Sequence, residues 1–92
     1  MKTNEFIVAG TVGNIHRIKD NTIIVNIAQN FEDKPTEWID VFFHSNAIPQ
    51  LERVKKGDTI QVVGFIGSRT IITESKSIRV PKLIANYCNV FA

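Results

Sequence analysis

In the run Thr36-Glu37-Trp38-Ile39-Asp40-Val41-Phe42-Phe43-His44, two large aromatic rings, a carboxylate and an imidazole recur at every second position. A strand sends alternate residues to opposite faces, so Trp38, Asp40, Phe42 and His44 share one face while Ile39, Val41 and Phe43 share the other. The second set is a core strip. The first is unusual for a face that only has to be wet, and the chemistry it offers is stacking against something flat. The same rings would also serve a subunit contact, in which Trp38, Phe42 and Phe65 would be covered by another chain. No Ser-His-Asp arrangement, phosphate-binding loop or cleft-like pair of carboxylates accompanies them, so the reading is a binding protein, not an enzyme, with no cofactor. His16 and His44 are too isolated for a metal site, and Cys88 reads as packing.

Charge adds a second signal. The formal net charge is only +2, but it is unevenly placed. Lys2, Arg17 and Lys19 against Glu5 make residues 1–19 basic, and Arg69, Lys76, Arg79 and Lys82 against Glu74 do the same for residues 69–92. Residues 20–58 are acidic. If the two basic ends fold to one side, they present a polyanion-facing surface that the net value conceals.

These groups need a scaffold, and 92 residues, 43% of them hydrophobic, supply one domain spanning 1–92. No run approaches the roughly 20 apolar residues of a membrane helix, so no membrane partner is expected. Residues 1–5 lead straight into a patterned strand without a secretory signal, and one cysteine excludes an intrachain disulfide; a cytoplasmic protein is the simpler reading.

Along the chain, Phe6 to Ile15 alternates as a first strand whose Gly10 and Gly13 invite a bulge, and His16 to Asn21 forms the turn. Thr22 to Gln29 is a second strand and Asn30 to Pro35 a polar loop around Phe31, followed by the strand that ends at His44. Ser45 or Asn46 then caps a short helix carrying Ile48, Leu51 and Val54, with Lys55-Lys56 at its C-terminus and Gly57 as a left-handed stop. Asp58 to Ile72 is a long strand with Ile60, Val62 and Ile66 on one side. Thr73 to Ser77 is a loop, and Ile78 to Phe91 a last strand in which Pro81 belongs at an edge or bulge. Five bent strands with one short helix between the third and fourth is the order of the all-β OB-fold barrel, which binds oligonucleotides on its second and third strands and adjoining loops.

The residues also carry a resemblance. Ile7-Val8-Ala9-Gly10-Thr11-Val12-Gly13, Thr36-Glu37-Trp38, the segment Leu51 to Ile66 with its Lys56-Gly57 and Gly64, and Leu83-Ile84-Ala85-Asn86 resemble, in order, four pieces of the bacterial and phage single-stranded DNA-binding protein family. The resemblance implies that Trp38 stacks on bases, with Phe31 as a second platform and His44 at the place of a third, where Phe42 on the same face could substitute. It implies that Arg69 is a basic contact. Asp40 stands where the family has a basic residue and Ile71 where it often has an aromatic. Phosphate contacts are expected of Arg17, Lys19, Lys34, Arg69, Lys76 and Arg79.

The function so implied is binding of single-stranded DNA without strong sequence specificity, in support of replication, recombination or repair. The expected setting is a bacterial or phage host cell, nucleoid-associated, with a homo-oligomer (dimer or tetramer) and replication proteins as partners. The chain ends just after its last strand, which fits either an isolated domain or a tailless relative such as the primosomal replication protein N group, a dimer in replication restart. An OB-fold interaction module and an RNA binder are the other readings.

Overall fold

A computed structural model describes residues 3–91. Five strands, β1 (Phe6–Lys19), β2 (Thr22–Phe31), β3 (Lys34–His44), β4 (Thr59–Ile72) and β5 (Ser77–Phe91), close into a barrel in the order β1-β2-β3-β5-β4. β4 pairs back to β1 from Phe6–Gly64 to Thr11–Thr59. Every pairing is antiparallel except the short contact of β3 with β5 at Val41–Leu83 and Phe42–Ile84. This is the five-stranded OB-fold barrel that the element order implied.

Alternation builds its interior. Val12, Val25, Ile27, Val41, Phe43, Ile60 and Val62 are all buried to within a few per cent, and Ile39 and Leu83 pack against them. Burial of this apolar strip is the main force holding the barrel closed.

Two amide side chains complete backbone ladders where strands run out. Gln50 donates to the Asn86 carbonyl at 2.9 Å and accepts from the Cys88 amide at 2.7 Å. Asn4 makes the equivalent reciprocal pair with the backbone of Ile66, both bonds 2.8 Å long. Each satisfies strand-edge groups that would otherwise need water.

The helix expected after β3 is a single 3-10 turn, Ile48–Leu51, and neither Ser45 nor Asn46 caps it: the N-cap is Ala47 and it makes no side-chain bond. The cause is lack of room. Residues 45–47 are already used in a turn, with the Ala47 amide donating to the His44 carbonyl at 2.7 Å, and Leu51 and Val54 must then point into the barrel. Lys55-Lys56 consequently lie beyond the turn, not at a helix end. Gly57 does take a left-handed backbone, φ 95°, and its amide donates to the Val12 carbonyl at 2.8 Å, fastening the segment to β1.

The strands are longer than alternation suggested. His16 to Lys19 belong to β1, leaving Asp20-Asn21 as the turn, and β2 and β3 absorb most of the loop around Phe31. A register shift at Val63–Gly64 leaves Asn86 as the extra residue of β5, and β4 loses its β1 partner after Gly64, so Ile66 lies past the closed part of the barrel, 45% exposed and not a core neighbour of Val62. Past that bulge the β4–β5 pairing runs on from Phe65–Ile84 to Ile72–Ser77, forming a two-stranded arm that outruns the barrel. Its end is tied where the Thr73 amide donates to the Lys76 carbonyl at 2.9 Å.

Candidate nucleic-acid interface

The outer surface of β2 and β3 is built from facing pairs: Ala28 with Trp38, Asn26 with Asp40, Ile24 with Phe42 and Thr22 with His44. Trp38 keeps 54% of its surface accessible. Its six-membered ring reaches across β2 to the backbone of Gly13 on β1, where a Cβ would stand 2.5 Å from Trp38 Cζ3 and 2.8 Å from Asn26 Oδ1. Only glycine leaves this space. The β1 bulge between Val12 and Ile15 thus provides a seat for the indole, which is positioned without being buried.

Phe42 lies on the same face of the same strand but is only 5% exposed. The arm covers it. Lys82 on β5 places its Nζ 4.6 Å from the ring centroid and Arg69 on β4 its Cζ 5.2 Å away, both in cation–π range. Gly67 faces Lys82 across the arm, and Arg69 is two residues on, so both cations project from one side of it. The parallel contact of β3 with β5 then holds that side against Phe42. The expectation that Phe42 could act as an open stacking platform is therefore corrected: its face is already occupied by cations.

His44 is half-buried beside it, ring centroids 6.3 Å apart and planes inclined by 30°. Its Nδ1 lies 3.2 Å from Thr22 Oγ1. Burial, and secondarily the Lys82 charge, lower its pKa below the ordinary histidine value, so the imidazole is neutral near pH 7. It can stack, but at that pH it brings no charge. Between Trp38 and the Phe42 cluster lies an open cleft of about 470 Å³, bordered by Asp40, Arg69 and Lys82.

The other expected residues divide between faces. Phe31, 51% exposed, stands opposite Lys34 at the β2–β3 tip, past a register shift that follows Gln29. Lys34 is four residues from Trp38 on β3, roughly 13 Å along an extended strand. Lys19 is exposed at the β1–β2 tip, opposite Thr22. Arg17 is not on this surface. It pairs with Ile23, donates to the Asp20 carbonyl at 2.7 Å and borders a groove with Leu51 and Val54 at the other side of the sheet. Arg79, opposite Thr70, projects from the side of the arm away from Arg69 and Lys82, and Lys76 is exposed at the arm's turn. The structure thus brings Trp38, Phe42, His44 and Arg69 together, leaves Phe31 and Lys34 at the β2–β3 tip, and separates Arg17 and Arg79 from them. Lys82, Gly13 and Asn26 are absent from the sequence-based set. Lys82 could have been found only by pairing Gly67 with it across the arm, since its own neighbourhood, Pro81-Lys82-Leu83, carries no signal.

No protein-family model matches this chain, and no curated protein matches it. Its likeness to solved structures is extensive. A Plasmodium falciparum SSB, solved in complex with ssDNA, superposes with a TM-score of 0.75 at 19% identity, over 100% of this chain and 97% of that one. Rim1, a mitochondrial single-stranded DNA-binding protein of S. cerevisiae, gives 0.73 at 19% identity over 98% and 96%. The fold is shared. At this identity the likeness is one of architecture, and it spans the barrel from end to end.

Proposed function

We propose that this chain binds single-stranded DNA, without strong sequence specificity, along the outer face of β2 and β3. The observation that carries the proposal is Trp38, half-exposed and seated on Gly13, facing a cleft whose far side holds Arg69 and Lys82. Every base has a flat face, so an aromatic platform takes any of them, at about 1–3 kcal/mol per stacked base. The cations serve the phosphates, and their neutralisation releases counterions. That the two structures compared above are of single-stranded DNA-binding proteins supports the same reading.

The cellular role that follows is to keep DNA unpaired during replication, recombination or repair, or to deliver it to a replication protein, in a bacterial or phage-infected cytoplasm. A dimer or tetramer is part of the proposal. Ile7, Val63 and Tyr87 form one row across β1, β4 and β5, and Ile7 and Tyr87 are 61% and 48% exposed. This strip lies on strands other than those of the Trp38 face, so subunits could meet there and leave the cleft open. A dimer acting like primosomal replication protein N is the narrower version.

The test is the anisotropy of a labelled oligo-dT strand, and of a duplex of equal length, at low and moderate salt. Preference for the single strand with steep loss on adding salt supports the proposal. Binding that ignores salt, or no binding, turns Trp38 into an apolar contact of an interaction module.

A further inference from the structure

Among the described residues the one anion on the Trp38 face is Asp40, and it occupies the step between the Trp38 platform and the cation-covered Phe42. On a surface meant only for a polyanion a carboxylate there weakens binding, unless it meets a donor. Among the described residues its side chain makes one hydrogen bond, accepted by Oδ1 from Asn26 Nδ2 at 3.0 Å. Asn26 sits directly across β2 and is itself packed beside Gly13 under the indole, so the carboxylate is oriented as well as placed. Oδ2 stays free. Asp40 borders the cleft shared with Arg69 and Lys82 on one side and a second hollow, of about 330 Å³ and floored by Ile18 and Ile24, on the other.

We infer that Asp40 is a base-reading acceptor, which gives the proposed single-strand site a preference at one step for a nucleobase with paired donors. The inference rests on the proposed function. In a single strand the Watson–Crick edges are unpaired and open to side chains, as in other single-strand recognition. Guanine presents N1–H and N2–H₂ side by side, matching the two oxygens of the Asp40 carboxylate. Cytosine and adenine present one amino group beside a ring nitrogen that is itself an acceptor. Thymine presents a lone N3–H between two carbonyls, which repel the carboxylate. The order is guanine first, cytosine and adenine next, thymine last. Specific reading by a carboxylate of a base donor has precedent in the pairing of Asp or Glu with the cytosine amino group.

The experiment compares binding of labelled oligo-dT with the same strand carrying one isolated dG, dC or dA, for the unaltered protein, Asp40→Asn and Asp40→Ala, at one salt concentration. A strand without other specific contacts can shift its register to bring the lone guanine to Asp40. The expected result is about fivefold tighter binding of the dG strand than of plain oligo-dT, the low end of what one well-formed base contact contributes. Asp40→Ala should abolish that difference and bind plain oligo-dT more tightly, and Asp40→Asn should reduce it, its amide offering one acceptor instead of two. Equal affinity of the unaltered protein for all four strands overturns the inference and leaves the single-strand reading intact. So does a guanine preference that survives in Asp40→Ala. If the variants tighten every strand by the same factor, Asp40 is only a repulsive charge, and the inference is likewise overturned. Failure to bind any strand overturns both readings together.

Discussion

Trp38 and Phe42 are four residues apart on one strand and face the same way, yet one is 54% exposed and the other 5%. The difference comes from what lies on either side of β3. Toward β1, Gly13 supplies a flat seat that supports the indole from one side and leaves the rest open. Toward β5, the β4–β5 arm leans back over the sheet, and Lys82 and Arg69 settle on the phenyl ring. Alternation decides which face a ring is on. Whether that ring is a platform for a ligand or a resting place for a cation is decided by residues 25 to 40 positions away in sequence. The two ends of the cleft therefore have separate jobs in this account, stacking at Trp38 and phosphate neutralisation above Phe42.

The comparison can be broken by substitution. Trp38→Ala carries the largest expected effect, a loss of about 1–3 kcal/mol in single-strand binding with a cooperative melt preserved. Phe42→Ala should instead reduce stability first, because it removes a buried ring and the seat of two cations, and a thermal melt alongside the titration distinguishes the two outcomes. Gly13→Ala should displace the indole and lower affinity by a fraction of the Trp38→Ala loss, accompanied by a shift in tryptophan emission; unchanged emission would mean that the seat is not what holds the ring.

Among the cations, Arg69→Ala and Lys82→Ala should each reduce the slope of log affinity against log salt by about 1. Arg79→Ala and Arg17→Ala should leave it nearly unchanged, since both project away from the cleft. Equal effects from all four would dissolve the distinction between the sides of the arm.

The smallest effect concerns His44. Its pKa is lowered, so the unfolded chain, with an ordinary histidine value of about 6.5, takes up its proton first as the pH falls. His44's contribution to stability is therefore complete above about pH 6.5 and is lost as the pH falls from there through its lowered native value. Over the same range single-strand affinity should rise, because a cation forms beside Lys82 at the cleft. His44→Gln should remove both trends, as read from melts and titrations across that pH range.

Much of the barrel was legible in the residues. Period-two runs located all five strands, Gly13 marked the β1 bulge, and Trp38, Asp40 and Phe42 were assigned to the correct face. What was not legible depended on distant partners. Nothing near Ile66 announces that β1 stops pairing with β4 at Gly64 and leaves Ile66 outside the closed barrel. Nothing near Arg17 or Arg79 tells which side of a hairpin each takes, because that follows from pairing with Ile23 and Thr70. The short helix was over-read because its apolar spacing of three fits a single 3-10 turn as well as an α-helix. The covering of Phe42 required knowing that β3 and β5 run parallel, a contact of two residue pairs that leaves no local pattern.

The most direct test of the account is the fluorescence of Trp38, the chain's single tryptophan, titrated with oligo-dT and with duplex at low and moderate salt. The account predicts saturable quenching by the single strand, little response to the duplex, and weakening as salt rises. A signal indifferent to single-stranded DNA at both salts, from protein that still melts cooperatively, would contradict it and leave the barrel with an exposed tryptophan that serves another partner.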